Sequence, residues 1–119
     1  MSQAQNISTH VLDTAKGAPA GGIEVKLFPA IESKDTSDYI WGSSVAETTT
    51  NGDGRGLFVF DIVPGVYKAT FLVGPYFERT GTPTFYPKID IVFRVADPSS
   101  HYHVPLILGP FGYSTYRGS

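Results

Sequence analysis

The sequence predicts an all-β fold, a sandwich of two sheets with one short helix. Three observations support this prediction. Apolar and polar residues alternate with period two in several short runs, as expected of strands buried on one face. Glycine- and proline-rich turn sequences separate the runs. Seven or eight such runs fall within 119 residues, which is typical of a β-sandwich.

The clearest strands are predicted at 23–28, 66–73 and 88–95, where the alternation is strict. In the first, IEVKLF, isoleucine, valine and leucine point to one side while Glu24 and Lys26 point to the other. Such a segment buries one face and exposes the other. These three strands are the framework on which the sandwich prediction depends.

Weaker patterns, enriched in β-branched and aromatic residues, complete the predicted set. They predict strands at 6–13, 39–50, 56–61, 101–108 and 113–117. The segment GPYFERTG, residues 74–81, is the one helix-like stretch. The turn NGDGRG, residues 51–56, has the Asn-Gly and Asp-Gly pairs of a tight hairpin and places Arg55 directly after it.

Composition narrows the range of possible functions. The chain has 9 basic and 11 acidic residues, a net charge of -2, so no basic surface is predicted for nucleic acid or for an anionic membrane. The absence of cysteine excludes disulfides, thiolate catalysis and zinc sites built on cysteine. The length predicts a single domain, 1–119. The N-terminus lacks an export signal pattern, and no apolar run reaches membrane-spanning length.

Histidines are the most informative polar residues. His101 and His103, in HYH, project from the same face if they lie on a strand, and His10 lies on the first predicted strand. His10 is expected on the outward face, because Ile7 and Val11 define the buried one. Three histidines with a water molecule can form a zinc site, but HxH alone is a weak pattern and no carboxylate is placed to support the ligands. A metal-free role is therefore preferred.

Three blocks of the sequence resemble one known family. STHVLDTAKGAPA at 8–20, DGR at 53–55 and HYHVPLILGPFGYSTYRGS at 101–119 look like the three signature blocks of the transthyretin-related 5-hydroxyisourate hydrolases, in the same order. The likeness spans nearly the whole chain. The terminal YRGS separates the hydrolases from transthyretin, the hormone carrier of the same fold. The chain is thus identified as similar to the enzymes of this family.

The resemblance implies a transthyretin-like sandwich of two four-stranded sheets and one short helix. It also implies a homotetramer with active sites in clefts between dimers, where a pinned C-terminal tail supplies part of the site. The implied reaction opens the six-membered ring of 5-hydroxyisourate with activated water and no cofactor. The product is 2-oxo-4-hydroxy-4-carboxy-5-ureidoimidazoline. The cytoplasm is the expected location, with the peroxisome left open, although the terminal RGS is not an SKL-type address.

Site residues follow from the matching motifs and from the needs of the chemistry. Ring opening requires a base near neutral pH, a group that stabilises an oxyanion, and groups that hold a flat polar ring. The predicted catalytic residues are His10, Arg55, His103 and Ser119. The predicted substrate-binding residues are Tyr116, Arg117 and Gly118. Either His10 or His103 can be the base, and His101 is expected to be a bystander. The alternative is a transthyretin-like carrier of a small aromatic ligand.

Overall fold

Two mostly antiparallel sheets pack face to face. The structure, a computed structural model, describes residues 7–35 and 38–119. The elements, in chain order, are β1 (Ile7–Asp13), β2 (Ala18–Pro19), β3 (Glu24–Asp35), β4 (Asp38–Trp41), β5 (Ala46–Thr49), β6 (Arg55–Phe58), β7 (Gly65–Phe71), α1 (Val73–Arg79), β8 (Ile89–Val95), β9 (Tyr102–Leu108) and β10 (Tyr113–Thr115). The predicted sandwich is confirmed, and so is the short helix. Asn6, the first residue of the first predicted strand, lies outside the described residues.

The first sheet has the order β10-β9-β1-β2, and β6 pairs with β1 on the same side as β2 but nearer the start of β1. Strands β1 and β9 run parallel, whereas β6 and β10 are antiparallel to their neighbours. This parallel pairing joins the two ends of the chain, since Ser8 lies directly opposite His103. The blocks that carry the sequence motifs are therefore adjacent in space.

The second sheet has the order β4-β3-β7-β8, with β5 also paired to β3. Each sheet thus has five strands within the described residues, rather than the four expected. The additional strands are minor, because β2 has only two residues and β4 is a hairpin extension of the long strand β3. The two-sheet architecture is unchanged by them.

The core lies between the sheets and follows the alternation in the sequence. Ile23, Val25 and Leu27 are fully buried, as the period-two pattern predicts. Strand β7 contributes Tyr67 and Phe71 to the same layer. Because these inward residues fix the register of each strand, they also fix which side chains point outward.

Two predicted segments differ from the structure. The predicted strand at 39–50 is divided into β4 and β5, because the chain bends at Gly42, whose N–H donates to the carbonyl of Pro29 at 2.8 Å. A Cβ atom on Gly42 would lie only 2.7 Å from the Ile31 side chain, so a larger residue does not fit this bend. The turn at 51–56 joins β5 of one sheet to β6 of the other, so it is not a tight hairpin within one sheet.

The helix α1 is anchored to the end of β1 by a buried hydrogen bond. The Tyr76 hydroxyl donates to Asp13 Oδ2 at 2.6 Å, and Asp13 Oδ1 accepts from the backbone N–H groups of Ala15 and Lys16. Burial, reinforced by the Asp13 carboxylate, raises the pKa of Tyr76. The helix has seven residues, and no helix among residues 7–35 and 38–119 is long and apolar enough to cross a membrane.

Candidate active site

The outward face of the first sheet gathers three of the predicted catalytic residues. His10 on β1 is the Cα partner of Arg55, the first residue of β6. His103 on β9 pairs with Ser8, two residues before His10 on the same face of β1. Three strands from distant parts of the sequence therefore place two imidazoles and a guanidinium on adjacent positions of one surface.

The two imidazoles are neighbours without a direct hydrogen bond. The ring centroids of His10 and His103 are 6.4 Å apart, and their planes are inclined by 35°. His101, just before β9, has its ring centroid 6.3 Å from that of His103, with the planes 14° from parallel. The ring of His103 is thus a neighbour of both other histidines.

Arg55 is placed by the turn that precedes it. The Asn51 side-chain oxygen accepts hydrogen bonds from the backbone N–H groups of Asp53 and Arg55, at 2.9 and 3.1 Å. Gly54 adopts a positive φ of 75°, and its carbonyl accepts from the N–H of Val11 at 2.7 Å. The turn is therefore tied to β1 beside His10. Within the described residues the Arg55 guanidinium has no carboxylate partner, which leaves its donors available to a ligand.

A cavity of about 400 Å³ opens beside these residues. Arg55 and His103 border it, together with Ser8, Thr48 and Asn51. Its other lining residues are Thr9, Thr49, Gly56 and Leu57. The lining combines a fixed cation, an imidazole, hydroxyls and an amide, the groups needed to hold a small polar ring.

The surroundings of His103 alter its titration. Burial lowers its pKa below the ordinary value, and the nearby positive charges of His10, His101 and Arg55 lower it further. A histidine with a lowered pKa is neutral at physiological pH. The neutral ring keeps a lone pair on one nitrogen, so it can accept a proton from water.

The C-terminal tail lies against His103. Gly118 forms an isolated antiparallel bridge with His103, and its N–H donates to the His103 carbonyl at 2.9 Å. A Cβ atom on Gly118 would lie 3.0 Å from Cγ of the imidazole and even closer to Cδ2, so only glycine fits under the ring. The tail is thereby held by contacts within its own subunit.

The remaining tail residues are directed elsewhere. Tyr116 and Arg117 line a second cavity of about 300 Å³ at the open edge between β8 and β9, and His103 borders that cavity too. The Arg117 guanidinium carbon lies 4.6 Å from the centroid of the Tyr102 ring, and the group donates to the His101 carbonyl at 3.2 Å. Ser119 is exposed. Their substrate-binding and catalytic roles stay predictions.

The zinc alternative has no matching arrangement in the described part of the chain. No group of three or more histidine, cysteine, aspartate or glutamate side chains among residues 7–35 and 38–119 is placed to hold a metal ion.

Sequence reasoning missed residues that the sheet pairing brings to the site. Ser8 contacts His103 directly: its Oγ lies 2.9 Å from Nδ1 of that ring. Thr48 and Asn51 line the cavity from the opposite sheet and from the turn. The position of Ser8 on the face of His10 was the one available signal, because its partner depends on a parallel pairing that no local pattern reveals.

Known proteins are similar to this chain over nearly its whole length. The model of the HIUase/Transthyretin family matches residues 7–118. A 5-hydroxyisourate hydrolase of Deinococcus radiodurans is 40% identical over 126 residues, covering 100% of both chains. The solved structure of Klebsiella pneumoniae 5-hydroxyisourate hydrolase superposes with a TM-score of 0.78 at 32% identity, again covering 100% of both chains. The solved structure of (S)-allantoin synthase superposes with a TM-score of 0.80 at 37% identity. The match covers 99% of this chain but only 45% of that longer protein.

Proposed function

Because the chain belongs to the HIUase/Transthyretin family, we propose that it hydrolyses 5-hydroxyisourate to 2-oxo-4-hydroxy-4-carboxy-5-ureidoimidazoline. The predicted family is confirmed, and the predicted enzyme agrees with the names of its relatives, which are 5-hydroxyisourate hydrolases. The observation that carries the proposal is local. The His103 imidazole shares one sheet face with His10 and Arg55, and His103 and Arg55 line the same cavity.

The proposed chemistry begins with water. His103 or His10 accepts a proton from water as the oxygen attacks the carbonyl carbon of the ring amide. The carbonyl oxygen becomes an oxyanion, which Arg55 stabilises with a guanidinium that stays charged at every working pH. Collapse of the tetrahedral intermediate breaks the C–N bond, and the leaving nitrogen takes a proton from the imidazolium. Water is consumed, and the new acid group forms from the former amide carbonyl.

The tail completes this proposed site. Gly118 allows the chain to pass directly under the His103 ring, so the last residues follow β9 at close distance. We assign Tyr116, Arg117 and Gly118 to substrate enclosure and Ser119 to orientation of the water or of a histidine. His103 borders the cavity that Tyr116 and Arg117 line, and this shared cavity supports the assignment.

A homotetramer is part of the same proposal. The candidate face is open to solvent and carries exposed apolar side chains beside its polar groups, with Leu12 36% and Leu57 41% exposed. Such a surface gains a second wall and loses apolar exposure when another copy covers it. Sedimentation analysis should give about four times the 12.9 kDa of one chain. A fully active monomer would contradict the role assigned to the cleft.

The cytoplasmic location stays a prediction.

The decisive experiment follows freshly generated 5-hydroxyisourate by ultraviolet absorption with and without the protein. Accelerated decay, with the ureidoimidazoline identified by NMR, is the expected result. His103→Asn is the matched inactive control, and Lys68→Gln, on the opposite sheet, is the matched active one. Decay at the spontaneous rate in the presence of the intact protein would reject the enzyme. Stoichiometric binding of an aromatic ligand in that case would support the carrier alternative.

A further inference from the structure

The Ser8 hydroxyl lies between two imidazoles. Its Oγ is 2.9 Å from Nδ1 of His103 and 3.5 Å from Nε2 of His101. The two rings are nearly parallel, at 14°, with centroids 6.3 Å apart. One oxygen atom is therefore within hydrogen-bond distance of both rings, one of them half-buried and the other exposed.

A serine hydroxyl suits this position because it can donate one hydrogen bond while accepting another. It can accept from the N–H of one imidazole and donate to the lone pair of the other at the same time. The backbone fixes the arrangement, since Ser8 and His103 are Cα partners in the parallel pair of β1 and β9. The contact thus follows from strand register and does not rest on a flexible side chain alone.

We infer that Ser8 is a positioning residue that links His101 to His103 in a proton relay, which leaves Nε2 of His103 as the nitrogen that acts on water. This inference rests on the proposed function and deepens it. It assigns a role to Ser8, and it changes that of His101 from a bystander to the outer end of the relay.

The proton balance is closed within the three residues. When Nε2 of His103 accepts a proton from water, its Nδ1 proton moves to the Ser8 oxygen, and the Ser8 hydroxyl proton moves to Nε2 of His101. His103 is then neutral with its proton on Nε2, and His101 carries the positive charge. In the reverse direction, His103 donates the Nε2 proton to the leaving nitrogen and regains a proton on Nδ1 through Ser8.

The charges around His103 favour this direction of transfer. Five basic side chains border its ring or its cavities: His10 of β1, Arg55 of β6, Arg94 of β8, His101 before β9 and Arg117 of the tail. Burial and the positive charges of His10, His101 and Arg55 lower the pKa of His103. His103 is half-buried and His101 is exposed, so the relay runs from the enclosed ring toward solvent.

Kinetics of Ser8→Ala, His101→Gln and the double variant test the relay. Ser8→Ala and His101→Gln should each lower kcat about tenfold, because a relay partner contributes less than the general base itself. KM should change less than about twofold. Because both changes interrupt one relay, the double variant should lose no more than about tenfold. Ser8→Thr, which keeps a hydroxyl, should stay within about threefold of the unaltered protein, and Ser43→Ala, in an exposed loop, is the matched control. Independent losses that multiply to about a hundredfold would overturn the relay.

A second readout does not depend on turnover. ¹⁵N NMR of the imidazoles reports which nitrogen of His103 carries its proton. Titration of His101 should move the His103 signals in the unaltered protein and in Ser8→Thr, but not in Ser8→Ala. His103 signals that still follow the titration of His101 in Ser8→Ala would overturn the relay even if the enzyme is active. If the unaltered protein fails to hydrolyse 5-hydroxyisourate, the proposed function fails, and the NMR coupling still decides whether the three residues are linked.

Discussion

The two sheets expose opposite faces, and the polar groups on those faces are satisfied in different ways. On the second sheet, the Lys68 ammonium lies 5.0 Å from the Trp41 ring centroid and 5.2 Å from that of Phe28. Beside it, the Thr70 hydroxyl donates to Asp90 at 2.6 Å. On the first sheet, His10 and Arg55 make no side-chain hydrogen bond within residues 7–35 and 38–119.

This difference separates polar groups that stabilise the fold from polar groups that are available to a ligand. Both faces arise from the same period-two alternation, so exposure alone does not distinguish them. On the second face Lys68 lies close to two aromatic rings and Asp90 accepts from a hydroxyl of its own sheet. On the first face His10, Arg55 and His103 lie together, and no carboxylate of residues 7–35 and 38–119 pairs with them, an arrangement that costs stability and therefore points to function.

The largest effect is expected from removal of residues 116–119. The tail reaches the candidate face through the bridge of Gly118 to His103, and Tyr116 and Arg117 line the adjoining cavity, so its loss should abolish measurable turnover. Circular dichroism should still show a β-rich protein, because the buried core lies outside the deleted segment. Turnover that survives the deletion would show that the face is competent without its tail.

His103→Asn should come next in size. It removes the proposed base while keeping a polar side chain of similar reach, and turnover should fall at least about a hundredfold. Loss of less than about tenfold would move the role of base to His10. The corresponding change on the other face, Lys68→Gln, should leave turnover within about twofold, as measured by the same absorption assay.

Arg55→Lys should lower turnover by about tenfold or more. The charge is retained, but the planar fork that holds two oxygens is lost. If the Arg55→Lys variant were as active as the unaltered protein, Arg55 would contribute only its charge. Arg79→Lys is a suitable control, because Arg79 donates to the carbonyl of Gly22 at the helix end, away from the candidate face.

The pH dependence of turnover sharpens the comparison further. The pKa of His103 is lowered by burial and by its basic neighbours, so its ring stays neutral until the pH falls below the ordinary value of 6.5. A neutral base is active above its pKa. Turnover should therefore hold from pH 8 downward and fall only below about 6.5, as measured by initial rates across buffers. A profile that is flat to pH 5 would argue against a histidine base.

The smallest effect concerns stability on the second face. Lys68→Gln removes an ammonium group that lies close to two aromatic rings. This loss should lower the free energy of unfolding by about 0.5–1 kcal/mol. Urea denaturation measures it. A decrease of that size in the free energy of unfolding, without loss of turnover, would support a purely structural role for this face. A large loss of turnover would contradict the difference drawn between the two faces.

The sequence predicts the strands better than it predicts their partners. Alternation correctly assigned the burial of Ile23 and Val25 and placed His10 on an outward face, because period two is a local property. The turn before Arg55 was placed in the wrong context, since Asn-Gly and Asp-Gly report local backbone geometry and not which sheet the next strand joins. The division at Gly42 was missed for a related reason: its cause is contact with Pro29 and Ile31.

The candidate site shows the same limit. His10, Arg55 and His103 were identified through resemblance to a family, and the parallel pair of β1 and β9 explains why two of them are neighbours. Ser8 could not be assigned to His103, because such a pairing is a non-local choice made by the whole sheet. Their roles in catalysis stay predictions for the kinetic experiments to decide.

Ser8 and His103 are 95 positions apart in the chain, yet their side chains touch. A ribosome that has polymerised only the first 100 residues has made β1 and β6 but no part of β9, so the nascent chain holds a single imidazole and no paired groove. The imidazole cluster therefore arises abruptly, near the end of synthesis, instead of growing with chain length. Prematurely terminated translation products should consequently be inert toward the substrate, whatever local structure they retain.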